Sequence, residues 1–263
     1  MLTIPLADLR NAARALRRSP TVAVSAVLCL MLGIGATASI SSAVSRVLLQ
    51  PLPFTHPEQL VALHRTTPQT GPMGTWPQSA PNYVDLARET HQLRGLAALT
   101  WGTALVQAPD GAIKAQQMLV TGNLFPLLGA RAERGRLIGP ADDRLDQPAV
   151  AVLSDEFWHS SFGGDPAIVG RTLTIGGTPT TIIGIAPRDF RIPHGSNVMR
   201  GDVWSPIRFT PQQLERRRSN YLKLLGRLAP GATVSSAGAE IRALFEGLVS
   251  TYPQLKGEHM RVA

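Results

Sequence analysis

The stretch TVAVSAVLCLMLGIGATASISSAVSRVLL, at residues 21–49, decides how the rest of the chain is organised. No charged residue occurs between Thr21 and Ser45. A helix over those 25 residues, rising about 1.5 Å per residue, would be about 37 Å long. The hydrocarbon core of a bilayer is about 30 Å thick. The sequence therefore predicts a single transmembrane helix over residues 21–49.

The residues before this stretch predict its orientation. Four arginines precede it, namely Arg10, Arg14, Arg17 and Arg18, whereas only Arg46 lies at its far end. Positive residues beside a transmembrane helix are retained in the cytoplasm, so we expect residues 50–263 on the other side. In residues 1–20 the apolar side chains recur at helical spacing, which predicts an amphipathic helix on the cytoplasmic membrane surface. The recurring residues are Leu2, Leu6, Leu9, Ala13 and Leu16.

Two other interpretations of residues 21–49 were weighed. The small residues at 36–38 resemble a signal-peptide cleavage site, but the apolar run is longer than the ~7–15 residues of a signal peptide. The run from Gly33 to Ala38 matches the dinucleotide-binding pattern G-x-G-x-x-G/A, which requires a strand before it and an amphipathic helix after it. Its flanks are apolar on both sides, so these small residues are better explained as a face for another transmembrane helix. The candidates for this packing face are Gly33, Gly35, Ala36 and Ala38.

Composition excludes several classes of function. The chain of 263 residues carries a net charge of +8, but its arginines are spread thinly, without the basic stripe and interleaved aromatics of a nucleic-acid binder. The run Arg216-Arg217-Arg218 is interpreted as a solvated helix face. The single cysteine, Cys29, lies within the apolar stretch. We therefore expect residues 50–263 to be held together by packing or by partners, without disulfides.

No catalytic, cofactor-binding or metal-binding residue is predicted. The sequence contains no P-loop, no H-E-x-x-H and no G-x-S-x-G, the patterns that would indicate a nucleotide, zinc or acyl-transfer site. Its six histidines are scattered, and Asp142 and Asp143 are interpreted as part of a solvated turn. A secreted hydrolase was considered, but it has no site residues to support it.

Residues 50–263 predict an α+β fold, because short apolar strands alternate with capped helices. Two stretches are predicted as long loops that could face a partner: residues 66–78, with Trp76, and residues 187–200. The predicted strands are at 60–63, 96–106, 113–120, 149–153, 171–175, 180–185, 203–207, 221–228 and 259–263. The predicted helices are at 81–92, 123–128, 155–162 and 235–250, with a short one after Pro211.

Several short segments, in a fixed order along nearly the whole chain, match one family. The chain resembles the N-terminal half of a MacB/FtsX-type ABC transporter permease, in particular the acidobacterial-type permeases. The matching segments are Asp8-Leu9-Arg10, Ala15-Leu16-Arg17-Arg18-Ser19-Pro20, Leu32-Gly33-Ile34-Gly35-Ala36, Val47-Leu48-Leu49-Gln50-Pro51-Leu52-Pro53-Phe54, Gly122-Asn123-Leu124-Phe125, Leu128-Gly129, Val150-Ala151-Val152-Leu153-Ser154, Phe157-Trp158, Phe162-Gly163-Gly164-Asp165-Pro166-Ala167-Ile168-Val169-Gly170-Arg171, Gly184-Ile185-Ala186-Pro187, Phe190 and Leu228-Ala229-Pro230-Gly231.

The resemblance implies a first transmembrane helix in the bacterial inner membrane, followed by a MacB-like periplasmic core at residues 50–263. It implies that this core has a porter-like lobe and an inserted lobe, both α+β. The resemblance also implies a non-catalytic subunit that dimerises, recruits an ABC ATPase and transmits ATP-driven motion to the periplasmic domain.

The chain departs from the family pattern in two places. Thr37-Ala38-Ser39 stands where the family has Asn-Thr-Ala, and the sequence ends where relatives continue into further transmembrane helices. We therefore expect a fragment, a split gene or a truncated product, whose partners are the bilayer, the ATPase, and a second permease copy or the missing C-terminal transmembrane segment. The alternative is a membrane-anchored periplasmic binding or scaffolding module that works without ATP.

Overall fold

The structure is a computed structural model that describes residues 24–25, 28–35, 54–67, 77–108, 111–194 and 197–263. The chain divides into two compact units, Met1–Pro51 and Leu52–Ala263. In the first unit residues 28–35 are helical. No helix among the described residues is long and apolar enough to cross a bilayer. Most of the predicted transmembrane stretch lies outside the described residues, as do Arg10, Arg14, Arg17, Arg18, Ala36, Ala38 and Trp76.

The described part of the second unit is a mixed α+β fold, as predicted. Its strands are β1 (Leu60–Thr66), β2 (Gln78–Ser79), β3 (Leu93–Ala108), β4 (Gly111–Val120), β5 (Arg134–Gly135), β6 (Val150–Leu153), β7 (Thr172–Ile175), β8 (Thr178–Ile185), β9 (Ile192–His194), β10 (Asn197–Met199), β11 (Val203–Pro206), β12 (Asn220–Leu228) and β13 (His259–Val262). Its α-helices are α1 (Ala80–Glu89), α2 (Leu124–Leu128), α3 (Asp155–Phe162), α4 (Pro211–Glu215) and α5 (Val234–Thr251).

One sheet runs through the whole second unit. Its strand order is β13-β1-β12-β3-β4-β11-β6-β8-β5, with β2 paired to β12 and β7 paired to β3 and β8. The pairs β4–β11 and β6–β8 are parallel, and β9 and β10 form a separate hairpin. Because the sheet continues without a break, the division into a porter-like and an inserted lobe stays a prediction.

Local signals placed the helix ends where the sequence predicted them. The hydroxyls of Ser79 and Ser154 accept hydrogen bonds from backbone N–H groups in the first turns of α1 and α3, which satisfies donors that a helix start leaves open. Gly129 and Gly163 end α2 and α3 in the left-handed conformation, which glycine adopts without a Cβ penalty.

Three apolar clusters form the core of the second unit. The first lies beneath α1 and α5 and includes Leu86, Ile241 and Phe245. The second surrounds α2 and contains the largest fully buried side chain, Trp204. The third lies beneath α3, around Phe157. Each fully buried aromatic or aliphatic side chain of this kind stabilises the fold by about 1.5–3 kcal/mol.

The incoming end of the second unit is joined to its last strand. Ala62 and Ala263 exchange two backbone hydrogen bonds, of 2.8 and 3.0 Å, and β13 runs antiparallel to β1. The strand that leads into this unit and the last strand of the sequence therefore meet at one edge of the sheet.

Two sequence interpretations were wrong because they treated buried charges as solvated. Arg217 does not lie on a solvated helix face: its guanidinium donates to Asn82 and Asp85 and stacks over Tyr252. Asp142 is buried and forms a two-pronged ion pair with Arg136, with distances of 2.7 and 2.9 Å. Asp143 accepts the backbone N–H of Gly122, so neither aspartate belongs to a solvated turn.

Candidate docking groove

A groove of about 990 Å³ opens beside the start of α3 and is the candidate functional site. We call it the docking groove. Its lining combines three segments of the chain that are distant in sequence: Ser154–Phe157 with His159 and Ser160, residues 187–191, and residues 200–202. A volume of this size is typical of sites that accept a ligand or a protruding part of a partner.

The α3 wall is fixed by its cap and by β11. Ser154 caps the helix through its side chain, and its backbone N–H donates to the Asp202 carbonyl at 2.9 Å. The Asp202 carboxylate in turn accepts the Gln116 N–H at 2.7 Å. Asp155 and Glu156 occupy the first turn of α3, where the helix dipole favours negative charge. Two carboxylates are thereby held at the rim of the groove.

The opposite wall is a turn that is anchored by Phe190. Asp189 adopts a left-handed φ of 58°, and Phe190 is buried against Phe54, Phe125 and Trp204, with ring centroids 5.8, 5.2 and 5.2 Å away. Beyond it the chain forms the β9–β10 hairpin. The prediction of a plain loop over residues 187–200 is therefore wrong where Ile192–His194 pairs with Asn197–Met199, and the pattern did not show that Phe190 is a core residue.

Each ion pair at the groove has at least one largely exposed partner, although the Asp155 carboxylate itself is only 14% exposed. Arg188 lies 3.5 Å from Asp155, Arg191 lies 3.1 Å from Asp189, and Arg200 lies 4.0 Å from Glu156. Pairs of this kind contribute at most about 1 kcal/mol each, because water screens them. Their charges can therefore be exchanged for those of a partner at little cost in stability.

A smaller depression of about 390 Å³ adjoins the groove and shares Asp155, His159 and Arg188 with it. Here the Arg134 guanidinium lies 5.6 Å above the Trp158 ring, and the Trp158 indole N–H donates to the Asp165 carbonyl at 2.9 Å. No group of three metal-binding side chains occurs among the described residues. The arrangement of mixed charges beside an aromatic ring suits reversible binding of a protein surface.

A comparison with known protein families shows which family the chain is related to. The model of the MacB-like periplasmic core domain matches residues 23–244. The chain belongs to this family. It is therefore a component of an ABC-transporter permease.

Solved structures share the fold of this MacB-like core domain. A domain of a permease protein from Porphyromonas gingivalis is 16% identical with a TM-score of 0.62, covering 80% of this chain and 92% of that one. The extracellular domain of the noncanonic ABC-type transporter YknZ from Gram-positive bacteria is 12% identical, with a TM-score of 0.56 and coverages of 78% and 99%. The periplasmic region of MacB from Actinobacillus actinomycetemcomitans is 14% identical, with a TM-score of 0.53 and coverages of 77% and 87%. A comparison with curated protein sequences finds no match.

The predicted site residues of this MacB-like chain fall into two groups. Of the predicted partner-facing loops, residues 187–191 and Arg200 line the docking groove, whereas Trp76 lies outside the described residues. Gly33 and Gly35 are exposed on the helix at residues 28–35, and a Cβ added at either would meet no described atom within 4 Å. Their role in helix packing stays a prediction.

The α3 side of the groove was not predicted from the sequence. Ser154, Asp155 and Glu156 were recognised as a helix start, but not as a surface site. A signal was present, because three charged or capping residues cluster there in the sequence. The sequence does not show that residues 187–191 lie opposite these three residues.

Proposed function

We propose that this chain is a non-catalytic permease subunit of an ABC-type efflux or export system. It transmits ATP-driven motion across the inner membrane to its extracytoplasmic domain, Leu52–Ala263. Its family membership supports this role, and the energy is supplied by a partner ABC ATPase. In this proposal residues 21–49 cross the membrane once, oriented by Arg10, Arg14, Arg17 and Arg18, and Gly33, Gly35, Ala36 and Ala38 pack against a second permease copy or segment.

One observation carries the proposal: Phe54 contacts the wall of the docking groove. Phe54 follows the predicted transmembrane stretch by five residues, is only 7% exposed, and meets Phe190 edge to face with centroids 5.8 Å apart. Phe190 itself lines the groove. A shift of the incoming segment is therefore passed to the groove through this packed contact, since close-packed cores transmit displacement.

The incoming segment is also held to the sheet. Arg227 of β12 donates to the carbonyls of His56 and Leu127, at 2.9 and 2.7 Å, and Ala62 pairs with Ala263. A force applied at the membrane end therefore moves β1, β12 and β13 together instead of unravelling the first residues.

The proposal is tested on the full chain in membranes, isolated with its co-purifying ATPase. Cys29 is replaced by serine, and Asp189, which is exposed in the groove, is replaced by cysteine. We expect ATP to change the rate at which a thiol reagent modifies this cysteine. Replacing Phe54 by leucine should reduce the ATP effect about two- to thirtyfold, which corresponds to a coupling free energy of about 0.5–2 kcal/mol.

Phe162→Leu is the matched control. Phe162 is 8% exposed and meets Phe157 edge to face at 5.7 Å, so its replacement removes similar packing beside the same groove without touching the incoming segment. Equal losses in both variants would contradict transmission through Phe54. If no ATPase co-purifies and ATP leaves the modification rate unchanged, the subunit role is wrong and a binding or scaffolding module without ATP is favoured.

A further inference from the structure

A second cavity, of about 380 Å³, lies where the incoming segment meets β3 and β12. We call it the arginine pocket. Two arginines face it from different strands, Arg94 at the start of β3 and Arg227 near the end of β12. The remaining lining residues are Thr55, His56, Gln59, Gly95, Asn123, Pro126, Leu127 and Gly129.

Arg227 reaches this pocket as a buried cation with an unused donor. The residue is 7% exposed, and two of its guanidinium nitrogens donate to the carbonyls of Leu127 and His56. Its third nitrogen, Nη2, is buried and has no hydrogen-bond partner among the described residues. Buried polar atoms are nearly always satisfied, so an unpaired nitrogen on an arginine that lines a cavity indicates a bound acceptor.

The charges around the pocket are unbalanced. Burial, and then repulsion from Arg94, lower the pKa of Arg227, and Glu58 only partly offsets this. The Glu58 carboxylate is already engaged with Nδ1 of His56 at 3.2 Å. None of the ion pairs found among the described residues includes Arg94 or Arg227. Among the described residues, no carboxylate lines the cavity that these two arginines share.

The backbone of the pocket is fixed in shape. His56 adopts a left-handed φ of 49°, which a non-glycine residue rarely does. Gly129 has φ 69°, and a Cβ there would clash with the Thr55 side chain. The Thr55 hydroxyl and the Gln59 amide add uncharged donors to the lining. Uncharged donors around two guanidinium groups match the oxygens of a phosphate, which arginine binds through paired hydrogen bonds.

We propose that the arginine pocket binds a phosphate group, held between Arg94 and Nη2 of Arg227. The phosphate comes from the headgroup of an anionic phospholipid or from free phosphate. The lipid source rests on the proposed membrane anchor: Thr55 is six residues beyond Leu49, and six extended residues span at most about 21 Å. A headgroup bound there would fix the incoming segment relative to the membrane surface.

The first arm of the test needs neither a bilayer nor an ATPase. The full chain in detergent is heated with inorganic phosphate, and with acetate or chloride at the same ionic strength, while tryptophan fluorescence reports unfolding. At about ten times the dissociation constant, phosphate should raise the midpoint by ~2–5 °C. An equal rise with acetate would overturn the proposal, whether or not the transport role holds. No rise with phosphate would exclude free phosphate as the ligand, and the proposal would then depend on the lipid arm below.

Arg94→Gln is the decisive variant, because Arg94 is exposed and its side chain takes part in none of the hydrogen bonds or ion pairs described above. It should abolish the phosphate-dependent rise, and Arg94→Lys should retain part of it. Arg242→Gln is the control: Arg242 is also exposed, but lies on α5 and does not line the pocket. A phosphate effect that survives Arg94→Gln would contradict the assignment.

The second arm identifies the source. The chain is placed in nanodiscs of phosphatidylglycerol or of phosphatidylcholine without free phosphate. If the anionic lipid raises the midpoint and Arg94→Gln removes the rise, the headgroup is the ligand. If only inorganic phosphate acts, the pocket takes free phosphate. If neither acts on the wild-type chain, the arginine pocket is not a phosphate site.

Discussion

The two ends of the sheet in Leu52–Ala263 differ in the length and the burial of their ion pairs. Around β1, α1 and α5 two ion pairs are short and mostly buried: Arg65–Glu258 and Arg217–Asp85 are both 2.6 Å long, with side chains 5–16% exposed. At the docking groove Arg188–Asp155 is 3.5 Å long and its arginine is 79% exposed, although the Asp155 carboxylate is 14% exposed. Charges of the first kind fix the geometry of the protein, because breaking them strands a buried ion. Charges of the second kind remain available to a partner.

The largest expected effect is the loss of Arg217. Its guanidinium donates to Asn82 at 3.0 Å and to Asp85 at 2.6 Å, and lies 3.6 Å from the Tyr252 ring centre. Arg217→Ala should lower the free energy of unfolding by about 3 kcal/mol, measured by urea denaturation of the full chain in detergent. Lysine cannot reproduce both the two-pronged hydrogen bonding and the stacking of a guanidinium group. Arg217→Lys should therefore retain only part of the stability that Arg217→Ala loses.

The neighbouring Arg216 provides the control for this experiment. It precedes Arg217 directly and is exposed, so Arg216→Ala should change the free energy of unfolding by less than about 0.5 kcal/mol. Similar losses in the two alanine variants would mean that burial does not distinguish these arginines, and the contrast between the two ends of the sheet would not hold.

A smaller effect is expected at Asp143, which is half-buried. Burial raises its pKa to about 6, although the Gly122 N–H opposes the shift and repulsion from Asp142 adds to it. Because the folded protein holds this proton more tightly than the unfolded chain, the contribution of Asp143 to stability is present at low pH and is lost as the pH rises through about 6. Between pH 5 and 7 the wild-type chain should lose about 1 kcal/mol or less relative to Asp143→Asn, after allowing for partial solvent exposure.

Asp146→Asn gives a control of opposite sign. Its hydrogen bond to Arg144 lowers the pKa of Asp146, so any stability it contributes is present at neutral pH and is lost only in more acidic solution. Asp146→Asn should leave the pH dependence of the free energy of unfolding between pH 5 and 7 unchanged. A wild-type slope that persists in Asp143→Asn would show that another group is responsible.

The features that sequence predicted depend on neighbours in the chain. Ser154 caps α3 by bonding a residue three positions away, and Gly129 ends α2 through its own backbone conformation. Such signals depend on only a few consecutive residues. The alternation of strands and helices followed from apolar periodicity in the same way, and this is why the α+β class could be predicted.

The features that sequence missed depend on distant contacts. Arg217 meets Asn82 across 135 positions, Arg227 meets His56 across 171, and Gln116 meets Asp202 across 86. An arginine that pairs with a buried carboxylate has the same local sequence as a solvated one, so Arg217 was misread. Phe190 was placed in a loop for the same reason, since only the positions of Phe54, Phe125 and Trp204 show that it is buried.

The smallest effect is expected at the groove itself. Arg188→Ala should change the free energy of unfolding by less than about 0.5 kcal/mol, because the exposed guanidinium is already well hydrated. A double-mutant cycle with Asp155→Asn removes the separate contribution of Asp155 to the start of α3 and isolates the pair. Its coupling energy should be about 0.2–1 kcal/mol at low salt and should vanish at ~1 M salt, where the screening length is about 3 Å. A larger coupling energy that persists at high salt would show that Arg188, like Arg217, stabilises the fold. The groove would then lack the exchangeable charges that a docking partner requires.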